Sequence, residues 1–176
     1  MSKPFSRPLF LDATVLSNYA STDSVDWLLS TFDGLQTVPA VKGEMSQGYD
    51  AGYTYLKNAV DILESGEIKL RESAATELQE EYPEIQQRLD LGEAEALVGA
   101  HVTGGTLATD DARGRSLASS YDVPVTGSIG LLVRGVVEGQ LTVETADEWL
   151  TTWVDKRNYF SPVESVMAVL PDGFEE

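Results

Sequence analysis

The segment PLFLDATVLSNYA, residues 8–20, decides the fold. Its first five residues are a short apolar run that stops at an acid. Such a run, without polar alternation, suits a strand buried on both faces, as in a parallel sheet, and leaves Asp12 at the strand's carboxyl end. The remainder, Thr14 to Ala20, can start a helix with Thr14 or Asp12 as its cap. The same strand-then-acid pattern returns in GTLATD, residues 105–110, ahead of a helix over ARGRSLASSY, 112–121.

Working outward, VDWLLSTF (25–32) predicts a short helix stopped by Gly34, and LQTVP (35–39) a strand closed by Pro39. The stretch 41–63, VKGEMSQGYDAGYTYLKNAVDIL, predicts one long helical region despite Gly43, Gly48 and Gly52. GEIKL (66–70) reads as a brief strand, and 73–89 as an amphipathic helix that Pro83 must break or kink. GEAEALVGAHV (92–102) is a compact helix, DVPVTG (122–127) a strand and turn, and 128–139 and 145–156 are helices. The closing PDGFEE is expected to fray. Strands alternating with helices imply a mostly parallel central sheet covered on both faces, a three-layer α/β/α fold. With no internal repeat and no linker, the expectation is one domain over 8–140. A short N-terminal tail (1–7) precedes it, and a C-terminal helix and tail (141–176) pack on it.

The 176 residues, 42% hydrophobic, suffice for a real core. The absence of cysteine excludes disulfides, zinc–thiolate sites and thiol catalysis. A single histidine, His101, argues against a His-rich metal site or a Ser-His-Asp triad and is expected to be structural. No apolar run reaches the roughly 18 residues needed to span a bilayer. The N-terminus carries no long apolar leader, so a cytoplasmic protein with no membrane partner is expected. Acids outnumber bases 29 to 12, giving a formal net charge of −17 and a pI near 4.2. In dilute buffer such a surface repels nucleic acid. It also suits a salt-rich cytoplasm, where the Debye length shrinks to roughly 3 Å at 1 M salt and long-range repulsion vanishes. A halophile origin is therefore expected, and the charge does not exclude an RNA substrate.

Ligands of open α/β sheets bind beyond the carboxyl ends of the strands. Asp12 and the pair Asp110–Asp111 fall there, Glu44 follows a strand directly, and Glu93 and Glu95 open a helix. Each has a plain structural use. Asp12 can cap a helix, Glu44 can sit in solvent, Glu93 suits a helix N-terminus, and one of the adjacent Asp110 and Asp111 can simply start a helix. If they converge, their mutual repulsion needs a cation. Hard divalent ions with oxygen ligands, Mg²⁺ or Mn²⁺, fit such a set and can drive in-line displacement at phosphorus.

In order along the chain, these segments resemble the motifs of PIN domains. LFLDATVLSNYA resembles the opening strand with its Asp and, two residues on, a hydroxyl. VPAVKGEM resembles the second motif with its Glu. LDLGEAEALVGAH and VPVTGSIGLLVRGVVEG resemble the VapC-like branch, and TLATDDARGRSLA resembles the fourth motif. The resemblance covers about residues 8–140. It implies that Asp12 and Glu44 are the first two metal-binding, catalytic acids, with Thr14 supporting Asp12. The third acid is Glu95 by the pattern EALVGA or Glu93 by spacing. Two residues turn a helix by about 200°, so one of them faces the metal; Glu95 is favoured, with Glu93 nearby. Thr109-x-Asp111 picks out Asp111 as the fourth acid, with Asp110 as the alternative. Thr109 supports the site, and Thr126 and Ser128 lie at its edge.

The resemblance further implies an Mg²⁺- or Mn²⁺-dependent endoribonuclease. It would be a haloarchaeal VapC-like toxin of a toxin–antitoxin pair, dimeric and inhibited by a small antitoxin protein. A non-catalytic PIN-like binding module and an RNA-processing nuclease without antitoxin are the alternatives. Arg113 and Arg115 can engage phosphate or, more commonly for such residues, pair with acids. Trp149 and Trp153, four apart, suit core or dimer packing, and Tyr49, Tyr53 and Tyr55 suit a partner surface.

Overall fold

The structure, a computed structural model, describes residues 5–176, so most of the expected N-terminal tail lies outside the described residues. Among the described residues five parallel strands form one sheet: β1 (Leu9–Leu11), β2 (Leu35–Thr37), β3 (Lys69–Leu70), β4 (Thr106–Ala108) and β5 (Val125–Thr126). Their order is β3-β2-β1-β4-β5. Leu9 faces Leu35 on one side and Thr106 on the other. The chain winds one way from β1 through β2 to β3, then crosses back to lay β4 and β5 on the opposite side. The order therefore reverses between β1 and β4. All carboxyl ends share one edge, and the crevice at that switch point is where such sheets bind ligands.

Among the described residues ten α-helices flank and join the strands: α1 (Ala13–Ser21), α2 (Val25–Thr31), α3 (Pro39–Asp50), α4 (Lys57–Ser65), α5 (Ala74–Glu81), α6 (Pro83–Gln86), α7 (Leu91–Thr103), α8 (Ala112–Ser120), α9 (Ser128–Val137) and α10 (Val143–Arg157). The expected three-layer α/β arrangement holds. β1 is fully buried, as its unbroken apolar run requires. α7 lies directly on β1 and β4. The close approach depends on Gly99, where a Cβ would come within 2.6 Å of the Phe10 ring.

The predicted long helix over 41–63 is instead a hairpin. α3 stops at Asp50, the chain turns through Gly52 at φ +106°, makes a 3-10 turn over Thr54–Leu56 and returns as α4. Gly52 supplies backbone freedom that a residue with a Cβ would lack. Gly48 leaves room for Leu56, whose Cδ1 would lie 2.5 Å from a Cβ there. The predicted kink at Pro83 is real and separates α5 from α6.

The C-terminal segment packs back instead of fraying. Asp147 on α10 accepts from the Ser165 hydroxyl (2.7 Å) and the Val166 amide (2.8 Å), and Val166 is fully buried. Phe174 is partly buried against the core, and Glu176 accepts from the Val143 amide at 2.9 Å. The tryptophans of α10 serve packing within the chain. Trp153 is buried edge-on to Tyr19, and Trp149 meets Trp27 at 5.4 Å between ring centroids. His101 is wedged edge-on between Tyr82 and Tyr121, a structural setting.

Candidate active site

Asp12 follows β1 directly and is 1% exposed. It caps α1: Oδ1 accepts from the Val15 amide at 2.8 Å. Its other oxygen, Oδ2, accepts from the Thr109 hydroxyl at 2.5 Å. Both oxygens are thus fixed, yet each keeps capacity for a further partner. Burial pushes the Asp12 carboxyl up to about 7; the two hydrogen bonds oppose this, and the charges of Asp110 and Glu93 add to it. Among the described residues, no lysine or arginine forms an ion pair with it. The supporting hydroxyl is that of Thr109; Thr14 stands exposed on α1.

Of the two acids on α7, Glu93 belongs to the cluster with Asp12. It sits in the first turn, beside the N-capping Asp90, whose Oδ1 accepts from the Glu93 amide at 2.9 Å. Desolvation, then repulsion from Asp90 and Asp111, pushes its carboxyl up to about 7. Glu95 is buried and turned to the start of α3, where Oε1 accepts from the Ala40 amide at 3.1 Å. That position suits a carboxylate, because a helix start presents unpaired N–H groups and a positive dipole end. Glu44 reaches across from α3. Much of its side chain is exposed, but a Cβ on Gly92 would lie 2.4 Å from its Oε1, so this glycine makes room for it at the start of α7. Desolvation and then Asp90 raise its pKa, so Glu44 adjoins the cluster through Asp90.

The two acids after β4 part company. Asp111 caps α8, accepting from the Gly114 amide at 2.8 Å, while its charge acts on Glu93. Asp110 points the other way. Its oxygens accept from the Ser128 amide (2.8 Å) and hydroxyl (2.6 Å), with Asn18 and the Tyr159 hydroxyl each at 3.4 Å. Gly127 permits this: a Cβ there would lie 2.6 Å from Asp110 Oδ1 and 2.3 Å from Arg115 Nη2. Thr126 is buried at the end of β5. Arg115 donates from Nε to the Thr109 carbonyl at 3.1 Å, and among the described residues neither it nor the exposed Arg113 is ion-paired.

Three participants escape sequence reading. Asn18 is buried and bridges Ser128 (3.0 Å) to Arg157, whose Nε donates to Asn18 Oδ1 at 2.9 Å. Arg157 also bonds the Tyr55 hydroxyl and lies over that ring, and Tyr159 closes the network on Asp110. Only Asn18 leaves a trace in the sequence, as an amide on the otherwise apolar face Val15-Leu16-Tyr19-Ala20. Arg157 and Tyr159 arrive by tertiary packing of α10 against α1.

Fold and site together define an α/β protein with a carboxylate-lined crevice at the switch point of its sheet. The DUF3368 family model, described as a PIN domain, matches residues 9–170, and the chain belongs to this PIN-domain family. PIN domains are in general nucleases, which makes the chain a hydrolase of nucleic acid in class. No curated protein and no solved structure matches the chain. Among the described residues, no helix is long and apolar enough to cross a membrane.

Proposed function

We propose that the chain is a divalent-metal-dependent endoribonuclease in which Asp12 and Glu93 hold Mg²⁺ or Mn²⁺, with Asp111 beside Glu93. Glu44 stands at the margin of the site, and Glu95 and Asp110 act as positioning residues. The observation that carries this reading is the half of the site around Asp12. Burial and neighbouring carboxylates push Asp12 and Glu93 up to about 7, and neither has a basic side chain in ion-pair contact among the described residues. An all-oxygen donor set in that state suits a hard cation.

Among the described residues, no three acids or histidines stand as a ready-made metal cage. Mg²⁺ keeps several waters and binds through one or two carboxylates together with substrate phosphate, so it needs no such cage. When bound, the cation supplies Lewis acidity toward phosphate and lowers the pKa of water. The chain's own part is to hold Asp12 by Val15 and Thr109, to set Glu93 in the first turn of α7 beside Asp90, and to fix Asp110 on Ser128.

The more specific role of a toxin inhibited by a small antitoxin, in a salt-rich cytoplasm and as a homodimer, is supported by the VapC-like form of the LDLGEAEALVGAH and VPVTGSIGLLVRGVVEG motifs and by the net charge of −17. Incubation of purified protein with RNA and Mn²⁺ or Mg²⁺ at molar salt tests the activity. Cleavage that is lost with EDTA and in Asp12→Asn is expected. Wild-type inactivity across RNAs and metals, with no metal uptake in calorimetry, would leave a non-catalytic binding module in its place.

A further inference from the structure

Next to Asp110 a cavity of about 510 Å³ opens, lined among others by Asp110, Arg115, Thr126, Gly127, Tyr159 and Phe160. Its volume lies within the roughly 300–1,000 Å³ typical of small-molecule sites. Three of its features bear on what it could hold. Arg115 is exposed and anchored by Nε on the Thr109 carbonyl, and no acid pairs with it among the described residues, although acids outnumber bases 29 to 12. The Arg115 guanidinium is brought in against the backbone because Gly127 has no Cβ to meet its Nη2. Phe160, on the cavity wall, is 88% exposed, the most exposed large apolar side chain among the described residues.

We propose that this cavity is a nucleotide subsite for a single-stranded stretch of RNA flanking the scissile bond. Arg115 contacts a backbone phosphate and Phe160 stacks on an unpaired base. The proposal rests on the nuclease reading above and deepens it. A planar guanidinium matches phosphate geometry, and an exposed aromatic ring offers a stacking face to any base. Placement agrees: Asp110 lines the cavity and its charge acts on Asp12, so the cavity adjoins the carboxylates. A duplex base is already stacked and does not present its face to Phe160, which is why the subsite selects an unpaired strand.

The test is binding, read in the Asp12→Asn background so that cleavage does not enter. A short fluorescein-labelled single-stranded RNA carrying a fluorescent adenine analogue is titrated at several salt concentrations. Arg115→Ala is expected to reduce the slope of log affinity against log salt by about 0.7, the share of one phosphate on a single strand, and Arg115→Lys to retain it. Phe160→Ala is expected to weaken binding by about 5- to 100-fold and abolish quenching of the analogue, and Phe160→Trp to restore both. Both side chains are exposed, and melting curves identify any variant that has lost its fold. RNA binding with unchanged slope in Arg115→Ala and unchanged quenching in Phe160→Ala overturns the subsite even if the wild type cleaves RNA. Conversely, loss of both with a wild type that cleaves nothing retains the subsite and removes the nuclease reading. A wild type that neither binds nor cleaves RNA overturns both.

Discussion

The two halves of the crevice hold their acids in opposite ways. On the α9 side, Asp110 is met by the amide and hydroxyl of Ser128, by Asn18 and by Tyr159, a set of donors that satisfies a carboxylate without a cation. On the α7 side, burial raises both Asp12 and Glu93; the charges of Asp110 and Glu93 add to the rise at Asp12, and those of Asp90 and Asp111 to the rise at Glu93. A buried carboxylate surrounded by donors is scaffolding. One surrounded by other carboxylates is stored electrostatic cost that a metal ion can relieve. The same residue type thus does two jobs a few residues apart, and the hydrogen-bond partners tell them apart.

The sharpest way to break this comparison is to neutralise one acid on each side. Glu93→Gln should lower RNA cleavage by roughly 10²- to 10³-fold, the cost typical of removing one charge-stabilising group, with little loss of stability. Glu95→Gln keeps an acceptor for the Ala40 amide and should retain most activity. Equal losses in the two, measured as kcat/KM on one RNA, would return Glu95 to the metal. On the scaffolding side, Ser128→Ala leaves buried Asn18 and Asp110 short of a partner and should cost about 1–3 kcal/mol in denaturant unfolding. Glu95→Ala orphans the start of α3 and should cost about 0.5–2 kcal/mol, the range of a lost helix cap. The smallest effect is expected of Gly92→Ala. Its methyl group displaces only the flexible end of Glu44, so stability should hardly move while calorimetric affinity for Mn²⁺ falls.

Much of this was legible in the sequence because apolar runs ending in acids, PLFLD and GTLATD, leave few folds open. Asp12 and Asp111 fell at strand ends for that reason. The choice between Glu93 and Glu95 was not legible. Helical geometry says that the two point apart, and only the packing of α3 against α7 turns Glu95 to the Ala40 amide and leaves Glu93 beside Asp90. Thr109 is legible as a supporting residue, but its bond to Asp12 is not, since contacts between strand ends 97 residues apart leave no local pattern. The hairpin of α3 and α4 was hidden for a related reason: glycines inside a helical pattern signal a break only when tertiary contacts require a turn there.

The central claim is that the Asp12–Glu93 pair is held for a divalent cation, and unfolding free energy against pH, with and without Mn²⁺, tests it most directly. The Asp12 carboxyl rises from 3.8 to about 7 on folding. Between those values the folded state keeps a proton that the unfolded state has lost, so metal-free stability should fall as pH rises through this window, by up to about 4 kcal/mol for Asp12 alone. Asp12→Asn should remove Asp12's share of that slope and leave the share of Glu93, and in EDTA at pH 8 it should be more stable than the wild type. Mn²⁺ should restore the wild type at high pH, as any ligand of the folded state does, and leave Asp12→Asn behind. Equal stabilisation of both proteins by Mn²⁺, or a metal-free wild type whose stability does not fall across this window, would contradict the account.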